Sequence, residues 1–403
     1  MTTTSTTHPF DDISIDQLRA VGGLKWSRFP EAIGAFVAEM DFGLAPVVRE
    51  AVQQVTDAGL FGYLPPRLGA EMQQATADYY ARHHGWEVPV EHVRPLPDVL
   101  AGLTAVMEHF ARPGAVVVLT PAYMPFLTLP GMAGREVVEV PMLRSSDPSG
   151  MLRSSDPAGT GDDWSLDLAA VDAAFAAGAT MLVLCNPHNP IGKVYRAEEL
   201  RALAEVVSRH DGFVFNDEIH APLVFSGHRH VPYPTVSPEA AAHTVTATSA
   251  SKSWNLPGLK CAQLIHSDPD LAARWAEVGV MAEHGASNPG VVANTAAYTR
   301  GQEWLDDVLR YLDGNRQLLR RWAQEHAPQV AVTVPDGTYL AWLDCTALGL
   351  ERPAEHIAEQ AGVALVDGAL CGAAGAGCVR LNLATPRPVL SEILSRLDSV
   401  LTR

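Results

Sequence analysis

Residues 180–220 read TMLVLCNPHNPIGKVYRAEELRALAEVVSRHDGFVFNDEIH. Thr180–Leu184 is a short, uninterrupted apolar run, and Gly212–Phe215 ends on another. Between them, Glu198–Arg209 carries its apolar residues at helical spacing. Strands buried on both faces have this apolar character, and a helix between two of them is what a parallel pair requires. Each strand also runs straight into polar residues. In open α/β sheets ligands bind at such carboxyl ends.

The alternation continues outward. Ala101–Phe110 reads as helix, Ala115–Leu119 and Val137–Val140 as strands, Leu168–Ala177 as helix and Thr244–Thr248 as a β-branched strand. Upstream, Pro46–Ala58 has a proline at its start and Gly59 past its end, the usual asymmetry of a helix. A second helix is predicted near Ala70–His84, and the first forty residues read as irregular. The fold class is therefore α/β with a mostly parallel sheet. Beyond Pro269 the texture changes. Long helical stretches at Asp270–Glu283 and Asn288–His326 precede short strands at Val330–Val334, Thr338–Asp344, Val363–Val366 and Val379–Leu383. Helices at Pro353–Ala361 and Val389–Leu401 complete a smaller α+β domain. The expected division is 1–45 as an N-terminal segment packing with the small domain, 46–283 as the large domain and 284–403 as the small one.

The 403 residues hold 29 Lys+Arg against 46 Asp+Glu, a net charge of −17 that argues against nucleic-acid or anionic-membrane partners. No apolar run reaches the length of about 18 residues needed to span a bilayer. Met1–Pro9 is Thr-rich and lacks the basic-then-apolar order of a secretory signal. The five cysteines, Cys185, Cys261, Cys345, Cys371 and Cys378, form no CxxC pair, so free thiols in a reducing, cytoplasmic location are expected. No zinc or EF-hand pattern is present, and no metal is expected. Met142–Ser149 recurs almost unchanged as Met151–Ala158, which reads as a duplication in a surface loop.

The chain has only four lysines, and Lys252 lies just past Thr244–Thr248 in a segment rich in hydroxyls, Thr248-Ser-Ala-Ser-Lys252-Ser-Trp-Asn255. It is either a solvated loop lysine or an amine placed to form a Schiff base with a carbonyl. Asn186 follows one predicted strand, in a turn fixed by prolines and Gly192. Asp217, Glu218 and His220 follow the next. Their composition fits a metal site, an acid–base pair or an anchor for a protonated heterocycle.

The order and spacing of these segments are specific. Asp217 stands 31 residues after Asn186, Lys252 stands 35 after Asp217, and Arg380 follows in Cys378-Val-Arg-Leu-Asn382. The set resembles the fold-type I pyridoxal-phosphate enzymes of the aminotransferase class I/II superfamily. Lys25-Trp26, Phe36-Val-Ala-Glu-Met-Asp-Phe42, Pro121–Phe126, Asp217–His220 and Ser251–Gly258 are similar to the cystathionine β-lyase-like C–S lyases within it. The resemblance runs from Gly22 to the C-terminus. It implies an aspartate aminotransferase-like fold, with a seven-stranded sheet in the large, cofactor-binding domain.

It also implies roles. Lys252 would hold pyridoxal 5′-phosphate and act as base at Cα, and Asp217 would pair with the ring nitrogen. Asn186 would bond the ring hydroxyl oxygen, Tyr123 would stack on the ring, and His220 would join them. The phosphate would rest on the N–H groups of Val99 and Leu100 at a helix start, aided by Ser249, Ser251 and Lys260. Tyr63 would reach the phosphate from a partner subunit, implying a homodimer. Arg380 would clamp the α-carboxylate of a small amino-acid substrate, with Asn255 nearby. The sequence departs from the group's pattern at Glu39, Phe36, Asp98, Trp254 and Lys260, where Asp, Trp, Gly, Phe and Arg are usual. The expected activity is β-elimination from cystathionine or another cysteine S-conjugate. The alternatives are an aminotransferase using the same residues and a regulatory protein acting by protein contact. Only twenty residues precede Val21, too few for a fused helix-turn-helix domain.

Overall fold

The computed structural model describes residues 8–144 and 164–401. Apart from Met142–Arg144, the first copy of the duplicated segment lies outside the described residues, as does the second copy.

Seven strands form the large sheet: β1 (Val93–Leu96), β2 (Ala115–Thr120), β3 (Val137–Pro141), β4 (Ala179–Cys185), β5 (Phe213–Asp217), β6 (Thr244–Thr248) and β7 (Ala262–His266). Their order is β1-β7-β6-β5-β4-β2-β3. The neighbours from β6 to β3 are parallel, and β7 runs against both β6 and β1. The apolar runs follow from two-sided burial. Val117 and Leu119 of β2 pack with Phe175, Leu200 and Val207 on one face, while Val116 and Val118 pack with Leu103, Val106 and Trp275 on the other. Strands β1 and β7 were not expected from the sequence, because Pro95, Gln263 and His266 interrupt their apolar character. Inside the fold Gln263 Nε2 lies 3.3 Å from Asn294 Oδ1, and His266 Nδ1 lies 3.1 Å from the carbonyl of His92.

The smaller sheet contains β8 (Ala331–Thr333), β9 (Leu340–Asp344), β10 (Val366–Asp367) and β11 (Cys378–Asn382), in the order β8-β9-β11-β10 with every pairing antiparallel. The run read as one strand over Val363–Val366 divides. Val363–Ala364 pairs in parallel with Ile33–Gly34, while Val366–Asp367 joins β11. The N-terminal region is more regular than its sequence suggests, with helices at Ile15–Val21 and Leu24–Ser27. Leu18, Trp26, Ile33 and Ala35 share one apolar cluster with Leu343, Val379, Ile393 and Leu397 of the small domain.

The long helical stretch after residue 288 is two helices, Asn288–Arg300 and Gln302–Glu325, meeting at Gly301. Ala293, Ala297 and Tyr298 of the first share a cluster with Val48, Ala75 and Tyr79 of the large domain. Leu319 and Trp322 of the second belong to the small-domain cluster. Gln302–Glu325 thus contributes to both clusters, through Leu305 and Val308 to the first and through Leu319 and Trp322 to the second.

Candidate active site

The carboxyl ends of β4, β5 and β6 lie side by side, and each delivers polar residues to one place. Cys185 is the register partner of Asp217, and Asp217 is the partner of Ala247. The turn after β4 is held by Gly192, whose φ of +71° and contact with Pro335 exclude a side chain: a Cβ there would sit 2.2 Å from that of Pro335. A cavity of about 350 Å³ opens above these strand ends. Its lining brings together Lys252, Asp217, His220, Tyr123, Ser249, Ser251, Lys260, Arg380, Val99 and Leu100.

Asp217 is buried, and its Oδ1 accepts the Ile219 N–H at 2.9 Å. Among the described residues no cation reaches ion-pair distance of it. Burial pushes its carboxyl up to about 7, against the pull of the Ile219 N–H and the charge of Lys252. Burial likewise brings the Lys252 amine down to about 8, and the charge of Arg380 adds to the effect. Lys252 Nζ donates to the carbonyl of Ala38 at 2.9 Å. His220 is buried and its pKa is pushed well below the ordinary histidine value by desolvation, then by Lys252 and Arg380, so its ring is neutral. Its Nδ1 has no hydrogen-bond partner among the described residues. Arg380, in the middle of β11, donates to Asn189 Oδ1 at 3.0 Å and to the carbonyl of Phe36 at 2.8 Å, and its Nε has no partner among the described residues.

Residues 36–41 form the roof. The carbonyls of Val37 and Glu39 accept from Asn382 Nδ2 at 2.6 and 2.7 Å, and that of Ala38 also accepts from the Tyr339 hydroxyl at 2.9 Å. At its end Asp41 is buried between Lys25 Nζ at 2.7 Å and Trp26 Nε1 at 2.8 Å. The opposite end of the cavity is a helix start. Asp98 caps the helix Val99–His109 through Ala101 N–H at 2.9 Å, and its first-turn residues Val99 and Leu100 line the cavity. Two cysteines, Cys185 and Cys261, complete the wall. Burial pushes the Cys261 thiol up to about 12 and raises that of Cys185 well above its ordinary value.

The family profile described as aminotransferase class I and II matches residues 36–397. The chain belongs to that family. A cystathionine beta-lyase from Corynebacterium glutamicum is 37% identical over 390 residues, covering 96% of this chain and 99% of that protein. Among solved structures, a PLP-bound C–S lyase from Staphylococcus hominis matches with a TM-score of 0.87 at 26% identity, over 98% of this chain and 99% of the other. Cystalysin from Treponema denticola, whose crystal structure contains pyridoxal 5′-phosphate, gives a TM-score of 0.86 at 25% identity over 98% of each chain.

Not every residue that the aminotransferase-family resemblance implicates lies in the cavity lining. Asn186 is buried beneath it, where Nδ2 donates to the carbonyl of Val231 at 3.2 Å and Oδ1 accepts Tyr195 N–H at 3.3 Å. Asn255 serves the roof: Oδ1 accepts Met40 N–H and Nδ2 donates to the carbonyls of Met40 and Gly43. Tyr63 stands 94% exposed, outside its own chain's cavity. Lys260 Nζ lies 3.0 Å from Asp98 Oδ2, so two of the departures from the family pattern pair with each other. Trp254 points away from the cavity, donating to the carbonyl of Gly301 at 2.9 Å and meeting Tyr79 and Tyr298 edge-on. The sequence reading assigned no role to Asn189 or to the carbonyls of Phe36 and Ala38. Asn189 could have been found as the second Asn of its own turn. Main-chain acceptors leave no residue signature.

Proposed function

We propose that this chain, a pyridoxal phosphate-dependent carbon–sulfur lyase, cleaves the Cβ–S bond of L-cystathionine or a related cysteine S-conjugate, giving a thiol, pyruvate and ammonia. The observation that carries this reading is the 37% identity with a cystathionine beta-lyase over 96% of this chain, joined to the convergence of Lys252, Asp217 and Arg380 on one cavity. The donor set suits the cofactor. A buried carboxylate with no cation of its own fits a protonated ring nitrogen, and two first-turn amides fit a phosphate. Bound pyridoxal phosphate supplies the electron sink that makes the Cα proton removable.

The chain's residues do the rest. Lys252 takes the proton from Cα, work for which an amine near 8 is suited because it is largely neutral at mildly alkaline pH. Asp217 keeps the proton on the ring nitrogen. Arg380 holds the α-carboxylate through the planar donors that Asn189 and Phe36 orient from the other side. Val99, Leu100, Ser249, Ser251 and Lys260 hold the phosphate, and Tyr123 covers the ring. His220 stays neutral and accepts or donates without adding charge. Asn186 supports the ring hydroxyl side from below. Tyr63, exposed on its own chain, serves the phosphate of a partner subunit in a homodimer. None of the described helices is long and apolar enough to cross a membrane, in keeping with a soluble, cytoplasmic enzyme.

The test is a coupled assay on the cofactor-loaded protein with L-cystathionine. Stoichiometric pyruvate and thiol are expected, abolished in Lys252→Ala. Conversion of the cofactor band to the pyridoxamine form without pyruvate or thiol would overturn the lyase reading in favour of transamination.

A further inference from the structure

Phe36, Met124 and Val366 line the cavity described above, and they also line a second hollow of about 1000 Å³ outside it. The outer hollow lies between the turn at residues 28–32 and the helix Pro353–Ala361. The three shared residues stand between the two spaces, where the neck joining them would lie. Two of them flank the substrate-clamping guanidinium: Val366 is the register partner of Arg380, and the carbonyl of Phe36 accepts its Nη2. A substrate whose carboxylate rests on Arg380 therefore has the neck next to its side chain.

The outer hollow has an apolar wall. Phe29 is 43% exposed and Leu370 60%, with Ala354, Ala358 and Leu365 between them. Large apolar side chains left open together next to a reaction site mark a binding surface. The rim is acidic, with Glu31, Glu355, Glu359 and Asp367 against Arg28 and Arg352. Arg352 is engaged by Glu355 at 2.6 Å, and Arg28 lies over the ring of Phe29, 5.7 Å from its centroid. A carboxylate entering here meets more negative than positive charge, and one of the two cations is already paired.

We infer that this hollow receives the leaving-group half of the substrate, and that it selects cysteine S-conjugates with an extended apolar substituent over ones whose substituent carries a net negative charge, a class that leaves out L-cystathionine, whose leaving half balances its carboxylate with an ammonium. The inference rests on the lyase reading and adds the substrate class. The reaction balances without an oxidant or reductant. The Cα proton passes to Lys252, and the Cβ–S bond breaks with its electron pair on sulfur, which leaves and is protonated to the thiol. One water then converts the remaining enamine to pyruvate and ammonia.

The experiment measures kcat/KM for pyruvate release by the cofactor-loaded enzyme with S-methyl-, S-benzyl- and S-(4-carboxybenzyl)-L-cysteine. The last two differ by one para-carboxylate group. S-benzyl-L-cysteine is expected to exceed its carboxylated counterpart by about tenfold or more, the scale on which a mismatched group is rejected by a pocket. Ala358→Trp, a substitution at an exposed position that fills the hollow, is expected to lower the benzyl-to-methyl ratio by about tenfold. Glu31→Lys with Glu359→Lys is expected to narrow the benzyl-to-carboxybenzyl gap. Equal rates for the charged and uncharged pair in the wild-type enzyme, or an unmoved benzyl-to-methyl ratio in Ala358→Trp, would overturn the assignment while leaving the lyase reading intact. No pyruvate from the three substrates, with pyruvate still released from L-cystathionine, would overturn the assignment alone, and no pyruvate from L-cystathionine either would overturn both.

Discussion

The cavity and the anchor of its roof each hold buried polar residues, and they are treated differently. In the roof anchor, Lys25, Trp26 and Asp41 satisfy one another completely: both carboxylate oxygens of Asp41 are taken, and Lys25 also approaches the carbonyl of Ala384. In the floor and clamp, capacity is left over. Asp217 has no cation, His220 Nδ1 has no partner, and Arg380 Nε has none, among the described residues. Burying an unsatisfied polar group costs free energy, so such groups are rare unless something else completes them. The anchor thus holds its carboxylate fully paired, while the floor and clamp leave polar capacity at the cavity.

Breaking the anchor should therefore cost stability, and relaxing the floor should return some. The largest effect is expected from Asp41→Asn, which leaves Lys25 as an uncompensated buried cation. Denaturant unfolding of the cofactor-loaded protein should register a loss of roughly 3–5 kcal/mol. Retention of wild-type stability would remove the contrast. Asp217→Asn should have the opposite sign in the cofactor-free protein. The folded pKa of Asp217, about 7, stands above the ordinary 3.8. Its favourable share is therefore full below pH 3.8 and is lost as the pH rises to 7, beyond which the buried carboxylate costs on the order of a few kcal/mol. Cofactor-free Asp217→Asn should match the wild type near pH 4 and be the more stable of the two at pH 8, while the loaded variant loses lyase activity. The smallest effect is expected from Asn255→Gly, which keeps the positive φ of 59° but removes the bonds to Met40 and Gly43. A loss of about 1 kcal/mol in thermal unfolding, with KM little changed, would place Asn255 with the roof. A large rise in KM without a change in stability would return it to the substrate.

The large sheet was legible where burial is two-sided. β2, β4, β5 and β6 are apolar because helices cover both faces, and that character is visible in one dimension. β1 and β7 were not legible, because Pro95, Gln263 and His266 find their place only through partners distant in sequence. The helix Met124–Met132 was hidden for a similar reason, since Pro125 and Pro130 read as loop residues. In the site, Lys252, Asp217 and Arg380 stood out through spacing, and the structure gathers all three into one cavity. Asn255 was drawn in by its nearness to Lys252 along the chain, yet its left-handed backbone turns the side chain to the roof. The roof's own contribution, carbonyls of residues 36–39, has no side-chain signature to read.

One feature of the cavity wall bears on how such an enzyme would live with its product. A carbon–sulfur lyase releases a thiol beside Cys185 and Cys261. Mixed disulfides form through thiolates, and at neutral pH a thiol held near 12 supplies almost none. All five cysteines are buried, and burial raises every one of their pKa values. The wall thereby gains sulfur's softness and fit without its reactivity, and the protein would be chemically deaf to the compounds it makes.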